Sequence, residues 1–166
     1  WPVQLHLINP AASYFQGADL LIAADCTAFA HGDFHRKFVA GKKMVIACPK
    51  LDQGKEIYIQ KFIRLINEAE VNTITLAIME VPCCGGLISM VQTAMAHAEI
   101  IQYLVKLISD GAKAGAWQVE DEHWTALIMF YSFRGGCDEA IVGAQRAEDV
   151  YKKLFHLFLR MLGVHE

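Results

Sequence analysis

Four of the five cysteines lie where apolar, strand-like runs end. Cys26 closes Leu20-Leu21-Ile22-Ala23-Ala24-Asp25, Cys48 closes Met44-Val45-Ile46-Ala47, and Cys83 and Cys84 follow the run from Thr73 to Pro82. Sulfur gathered in this way does two kinds of chemistry, thiolate ligation of iron or zinc and thiol redox exchange. Each cysteine precedes a segment expected to be helical, and a helix N-terminus favours thiolate over thiol. In Cys83-Cys84-Gly85-Gly86 the two glycines would let backbone amides approach a ligand closely. A single free cysteine is usually a small buried hydrophobe. Four at equivalent strand ends mark a candidate cofactor-binding set: Cys26, Cys48, Cys83, Cys84, Gly85 and Gly86. No Cys-x-x-Cys spacing occurs, so neither a zinc ribbon nor a local ferredoxin loop is indicated.

The surrounding elements must bring these thiols together. Val3–Ile8 alternates and stops at Asn9-Pro10, Leu20–Ala24 and Met44–Ala47 are continuously apolar, and Thr73–Val81 is a third strong strand run. Between them, Ala28–Val39 reads as a short helix packing Phe29, Phe34 and Phe38 and closed by Gly41. The stretch from Lys55 to Ala69 carries Ile59, Phe62, Ile63 and Ile66 at helical spacing. Alternating strands and helices predict an α/β fold, a small, mostly parallel, Rossmann-like sheet of four strands in residues 1–86. Ligands of such sheets bind at the carboxyl edge, where all four thiols would meet.

Residues 87–166 read as a helical extension of three helices: Ile88–Ile108, Val119–Phe133 broken by Gly135-Gly136, and about Asp138 to Leu162 capped by Gly163. Asp138 and Glu139 would open the last helix. Its end, Leu154–Leu162, is apolar nearly all round, which predicts burial in the core or in a homo-oligomer.

At 166 residues and 54% hydrophobic composition the chain can bury a substantial core. A net charge of −3, with scattered Lys and Arg, gives no footprint for nucleic acid. No run reaches the roughly 18 apolar residues of a membrane helix, so no transmembrane segment is expected. An odd cysteine count with an adjacent pair argues for a reducing, cytoplasmic setting rather than a disulfide framework. The chain opens on Trp1-Pro2 with no signal peptide, as a fragment or processed product would.

Four blocks, Trp1-Pro2-Val3-Gln4-Leu5-His6-Leu7, ADLLIAADCTAFAHGDFHRKF, ACPKLD and MEVPCCGGL, occur in that order. Together they resemble the C-terminal region of the 4Fe-4S ferredoxin-domain (iron-sulfur binding) proteins of anaerobic bacteria and archaea, over about residues 1–95. Matching positions are Cys26, Cys48, Pro49, Lys50, Asp52, Cys83, Cys84, Gly85 and Gly86. The resemblance implies an iron-sulfur cluster, redox or electron-transfer work, and a redox protein or ferredoxin-like domain as partner. The family's own N-terminal ferredoxin segment is not among these 166 residues. Cys48 followed, after 34 residues, by Cys83-Cys84-Gly85 is also similar to the first half of the CCG motif of heterodisulfide-reductase-type subunits. Those close with a later Cys-x-x-Cys, where this chain has Cys137 alone.

Lesser candidates are few. His31 and His35 would share a helix face near Cys26, and Glu120-x-x-His123 has the spacing of a di-iron bundle, with Glu99 and Glu148 as partners. Lys50 and Asp52 would serve a ligand or pair together. Gly85-Gly86 before a helix could cradle an anion, yet no Walker A, Gly-x-Gly-x-x-Gly or Gly-x-Ser-x-Gly pattern occurs. The leading expectation is an iron-sulfur-associated redox domain with Cys26, Cys48, Cys83 and Cys84 as cluster or metal ligands, zinc or no cofactor being the alternatives. A non-enzymatic interaction or oligomerisation module with buried cysteines, and a thiol enzyme using Cys83 or Cys84, are the competing readings.

Overall fold

Continuous apolar runs bounded by Gly and Pro become the central strands of one parallel sheet. The computed structural model describes residues 2–141 and 146–164, with backbone only at 138–141 and 147. Three strands, β1 (Asp19–Ala24), β2 (Lys43–Ala47) and β3 (Thr73–Ala77), are ordered β2-β1-β3. Ile22 sits between Val45 and Leu76, and both pairings are parallel. Leu20, Leu21, Ile22, Ala23 and Ala24 are all buried, as both faces of a covered strand require. An α/β, Rossmann-like architecture is therefore observed, with three full strands rather than four.

The expected first strand is reduced to one parallel bridge, Gln4 to Ile46. Leu7 N–H donates to Gln4 O, turning the chain away from the sheet. Lys61 Nζ then donates to the carbonyls of Leu5, His6 and Ile8 at 2.9, 2.6 and 3.0 Å. Those carbonyls are satisfied by an ammonium, so no ladder forms.

The Ala28–Val39 helix is also revised. One turn, α1 (Thr27–Ala30), ends at extended His31 and is followed, beyond Gly32, by a π-type turn at His35–Val39. Phe34 and Phe38 pack on Leu21 and Ala23, covering one sheet face. Phe29 points outward, 94% exposed, because the broken helix no longer turns it inward. Helix α2 (Lys55–Asn67) buries Tyr58, Ile59, Phe62, Ile63 and Leu65.

Helix α3 (Gly85–Lys113) runs 29 residues. The chain divides into two compact units, Trp1–Ala98 and Glu99–Glu166, so the division falls inside α3. Within the first unit Leu87, Met90, Val91 and Ala94 of α3 are buried. The second unit holds the end of α3, α4 (Glu122–Ile141) and α5 (Ala147–Met161), with Ile108, Ala126 and Leu162 at its core.

Two expectations for these helices fail. Helix α4 continues through Gly135-Gly136 because α5 lies close there: a Cβ on Gly136 would come within 2.6 Å of Leu154. Asp138 and Glu139 therefore belong to α4, and α5 begins at Ala147. The C-cap at Gly163 is as expected. With φ +70°, it lets Gly163 N–H reach Arg160 O and Val164 N–H reach Leu159 O, the two bonds of a Schellman motif. The apolar tail is not sealed in a core: Phe155 is 59% exposed and Leu157 39%. Among the described residues no helix is long and apolar enough to cross a membrane.

Candidate functional site

In the order β2-β1-β3 the chain leaves β1 toward one side for β2 and crosses to the other for β3. That reversal makes the carboxyl ends of β1 and β3 the switch point, where a crevice opens in such sheets. Asp25 and Cys26 follow β1 directly, Cys48 follows β2 directly, and Cys83 comes six residues after Ala77. β3 ends four residues short of the expected Val81. Val81 N–H donates to Met79 O, and Pro82 opens a 3₁₀ turn that ends at Cys84.

The β2 loop is built around one carboxylate. Asp52 N–H donates to Cys48 O at 2.9 Å, while Cys48 N–H donates back to Asp52 Oδ2 at 2.8 Å. Tyr58 of α2 donates its hydroxyl to the same oxygen at 2.7 Å. Burial, then the hydrogen bond and charge of Asp52, push the Tyr58 phenol well above its ordinary range. Asp52 is thus committed to Cys48 and Tyr58, and among the described residues no ion pair joins it to Lys50.

Beside it, Asp25 Oδ1 is buried without a hydrogen-bond partner. Burial first, and the Asp52 charge second, push the Asp25 carboxyl up. Neither Asp25 nor Tyr58 was singled out in the sequence. A carboxylate at the end of a central strand was the available signal for Asp25; Tyr58 carried none beyond its place in a helix.

The β2 and β3 loops touch. A Cβ on Gly86 would lie 3.0 Å from Pro49 Cβ, so only glycine allows this approach without displacement. Gly85 has open space around its Cα and makes no such contact. The contact draws Cys48, Cys83 and Cys84 into one neighbourhood. Partial loss of hydration, then Cys84 and more weakly Cys48, push the Cys83 thiol up. This reverses the expectation of a thiolate favoured by the helix dipole, because lost hydration, and after it the neighbouring sulfurs, push the other way. The premise also fails locally: Cys48 is followed by a turn, not a helix, and Cys26 precedes only four helical residues. Cys26 and Cys83 are exposed, Cys48 is half-buried, and Cys84 is buried.

All five thiols are free. Among the described residues no three of His, Cys, Asp and Glu converge as a metal site. His31 and His35 do not share a regular helix; their rings pack on Phe38 and Phe34 respectively. Glu120 lies before α4, so Glu120-x-x-His123 is not a one-face helical pair.

Against known proteins, a family model described as a Rossmann-like domain matches residues 12–119, more than half of the chain. An uncharacterized protein of Archaeoglobus fulgidus is 34% identical over 95 residues, covering 57% of this chain and 65% of that relative. No solved structure matches. These findings overturn the assignment to the 4Fe-4S ferredoxin-domain family, since the matching model is a different one and the relative carries no iron-sulfur description. The chain belongs to the Rossmann-like domain family.

Proposed function

We propose that the carboxyl edge of the sheet is a thiol redox site in which Cys83 is the exposed entry thiol and Cys48 and Cys84 are its neighbours. The observation that carries this reading is the Gly86–Pro49 contact, which holds the Cys48 loop against the Cys83-Cys84 turn. A small-molecule disulfide serves as oxidant: Cys48 and Cys83 give up two electrons and two protons, one S–S bond forms in the protein, and the oxidant's S–S bond is reduced to two thiols. Cys84 follows Cys83 directly at the head of α3, where a bridge between adjacent residues would distort the turn.

The same sulfurs are the donors that an iron-sulfur cluster or zinc would take, with Cys26 as a fourth ligand. As they stand the donors do not converge, so loading requires the exposed Cys26 and Cys83 to swing inward. Free thiols suit a cytoplasmic setting, with a redox protein as electron partner.

Anaerobic purification with iron, sulfide and zinc analysis, followed by titration with oxidised glutathione and peptide mapping, tests the site. Either a visible charge-transfer band with bound iron or sulfide, or loss of two thiols as a Cys48–Cys83 bridge, supports it. A metal-free protein whose Cys48 and Cys83 stay unbridged after oxidation ends the proposal.

A further inference from the structure

The stretch Ile100-Ile101-Gln102-Tyr103-Leu104-Val105-Lys106-Leu107-Ile108 of α3 is apolar on more than one side. Ile101 and Ile108 are buried within the second unit. Ile100, Tyr103 and Leu107 face outward at 47%, 66% and 48% exposure. They recur at i, i+3 and i+7, the a and d spacing of a helix-pairing seam. Glu99, Gln102 and Lys106 form an exposed polar stripe, and the apolar side chains of Ile100, Tyr103 and Leu107 beside it lack cover.

Exposed Glu99 and Lys106 flank this seam one heptad apart, and among the described residues neither sits in an ion pair. Opposite charges so placed are self-complementary under a two-fold axis. In an antiparallel pairing of two copies, Glu99 of each chain faces Lys106 of the other; a parallel pairing forfeits both contacts.

We infer that Ile100, Tyr103 and Leu107 form a homodimer seam, closed by a second copy of α3 running antiparallel. At these exposures the three side chains offer on the order of 300 Å² per copy, judged from the area large side chains bury. That is less than half of the roughly 800 Å² per partner of a standard interface, so the dimer is weak and concentration-dependent.

Sedimentation velocity of the full chain from micromolar to near-millimolar concentration reads this directly. The average mass should climb toward twice that of the chain. Tyr103→Glu should hold it at the monomer while circular dichroism shows the fold intact. Lys106→Glu should weaken association at least about tenfold by setting two acidic groups together, and Glu99→Lys combined with Lys106→Glu should restore it. A monomer across the whole range, a dimer indifferent to Tyr103→Glu, or a double reversal that fails to restore association overturns the inference.

Discussion

Asp52 organises the site from a single carboxylate oxygen that accepts both the Cys48 amide and the Tyr58 hydroxyl. Bonds to a charged acceptor contribute about 1.5–3 kcal/mol each. Tyr58→Phe should therefore lower stability by up to about that amount in urea denaturation, since Tyr58 is only 1% exposed. The Cys48 loop should loosen with it, seen as faster alkylation of Cys48. Sequence alone placed the four cysteines at strand ends, because an apolar run followed by Cys is a local pattern. Asp25 had a local signal as the carboxylate directly before Cys26 at a strand end, but nothing placed Tyr58 beside them. Its proximity comes from tertiary closure of α2 against the loop after β2, which no spacing along the chain encodes.

Elements were legible wherever a period was uninterrupted. β1, β2, α2 and the Gly163 cap follow their patterns closely, and β3 starts where expected but stops at Ala77. The failures have tertiary causes. The N-terminal strand gave way to the Lys61 ammonium, the Ala28–Val39 helix broke at His31-Gly32, and α4 continued past two glycines because α5 needed the room. Gly86 shows the same logic at the site, where the start of α3 rests on Pro49. Gly86→Val places a branched side chain in that contact. Overpacking of this kind costs about 1–3 kcal/mol. Chemical denaturation should show that loss, and formation of the Cys48–Cys83 bridge should slow as the loops separate.

For the whole molecule, stability against pH carries the mark of Asp25. Its carboxyl titrates above 3.8, the value of an unperturbed aspartate, so the folded chain holds this proton more tightly than the unfolded chain does. Stability is then lost as pH rises from that value through the folded one, and the loss persists at neutral pH. Asp25→Asn should raise the melting temperature near pH 7, and its advantage should vanish below about pH 3.8. An unchanged difference between the two proteins across that range would refute the assignment.

The strand order also sets a sequence of events during synthesis. Leu20–Ala24 emerges first yet pairs on both sides with strands made later. After Lys43–Ala47 has paired, one apolar edge of the central strand stays open until Thr73–Ala77 leaves the ribosome. An unpaired strand edge of this kind is a template for aggregation, and the delay is built into parallel order. The nascent chain is most vulnerable over those thirty residues of translation.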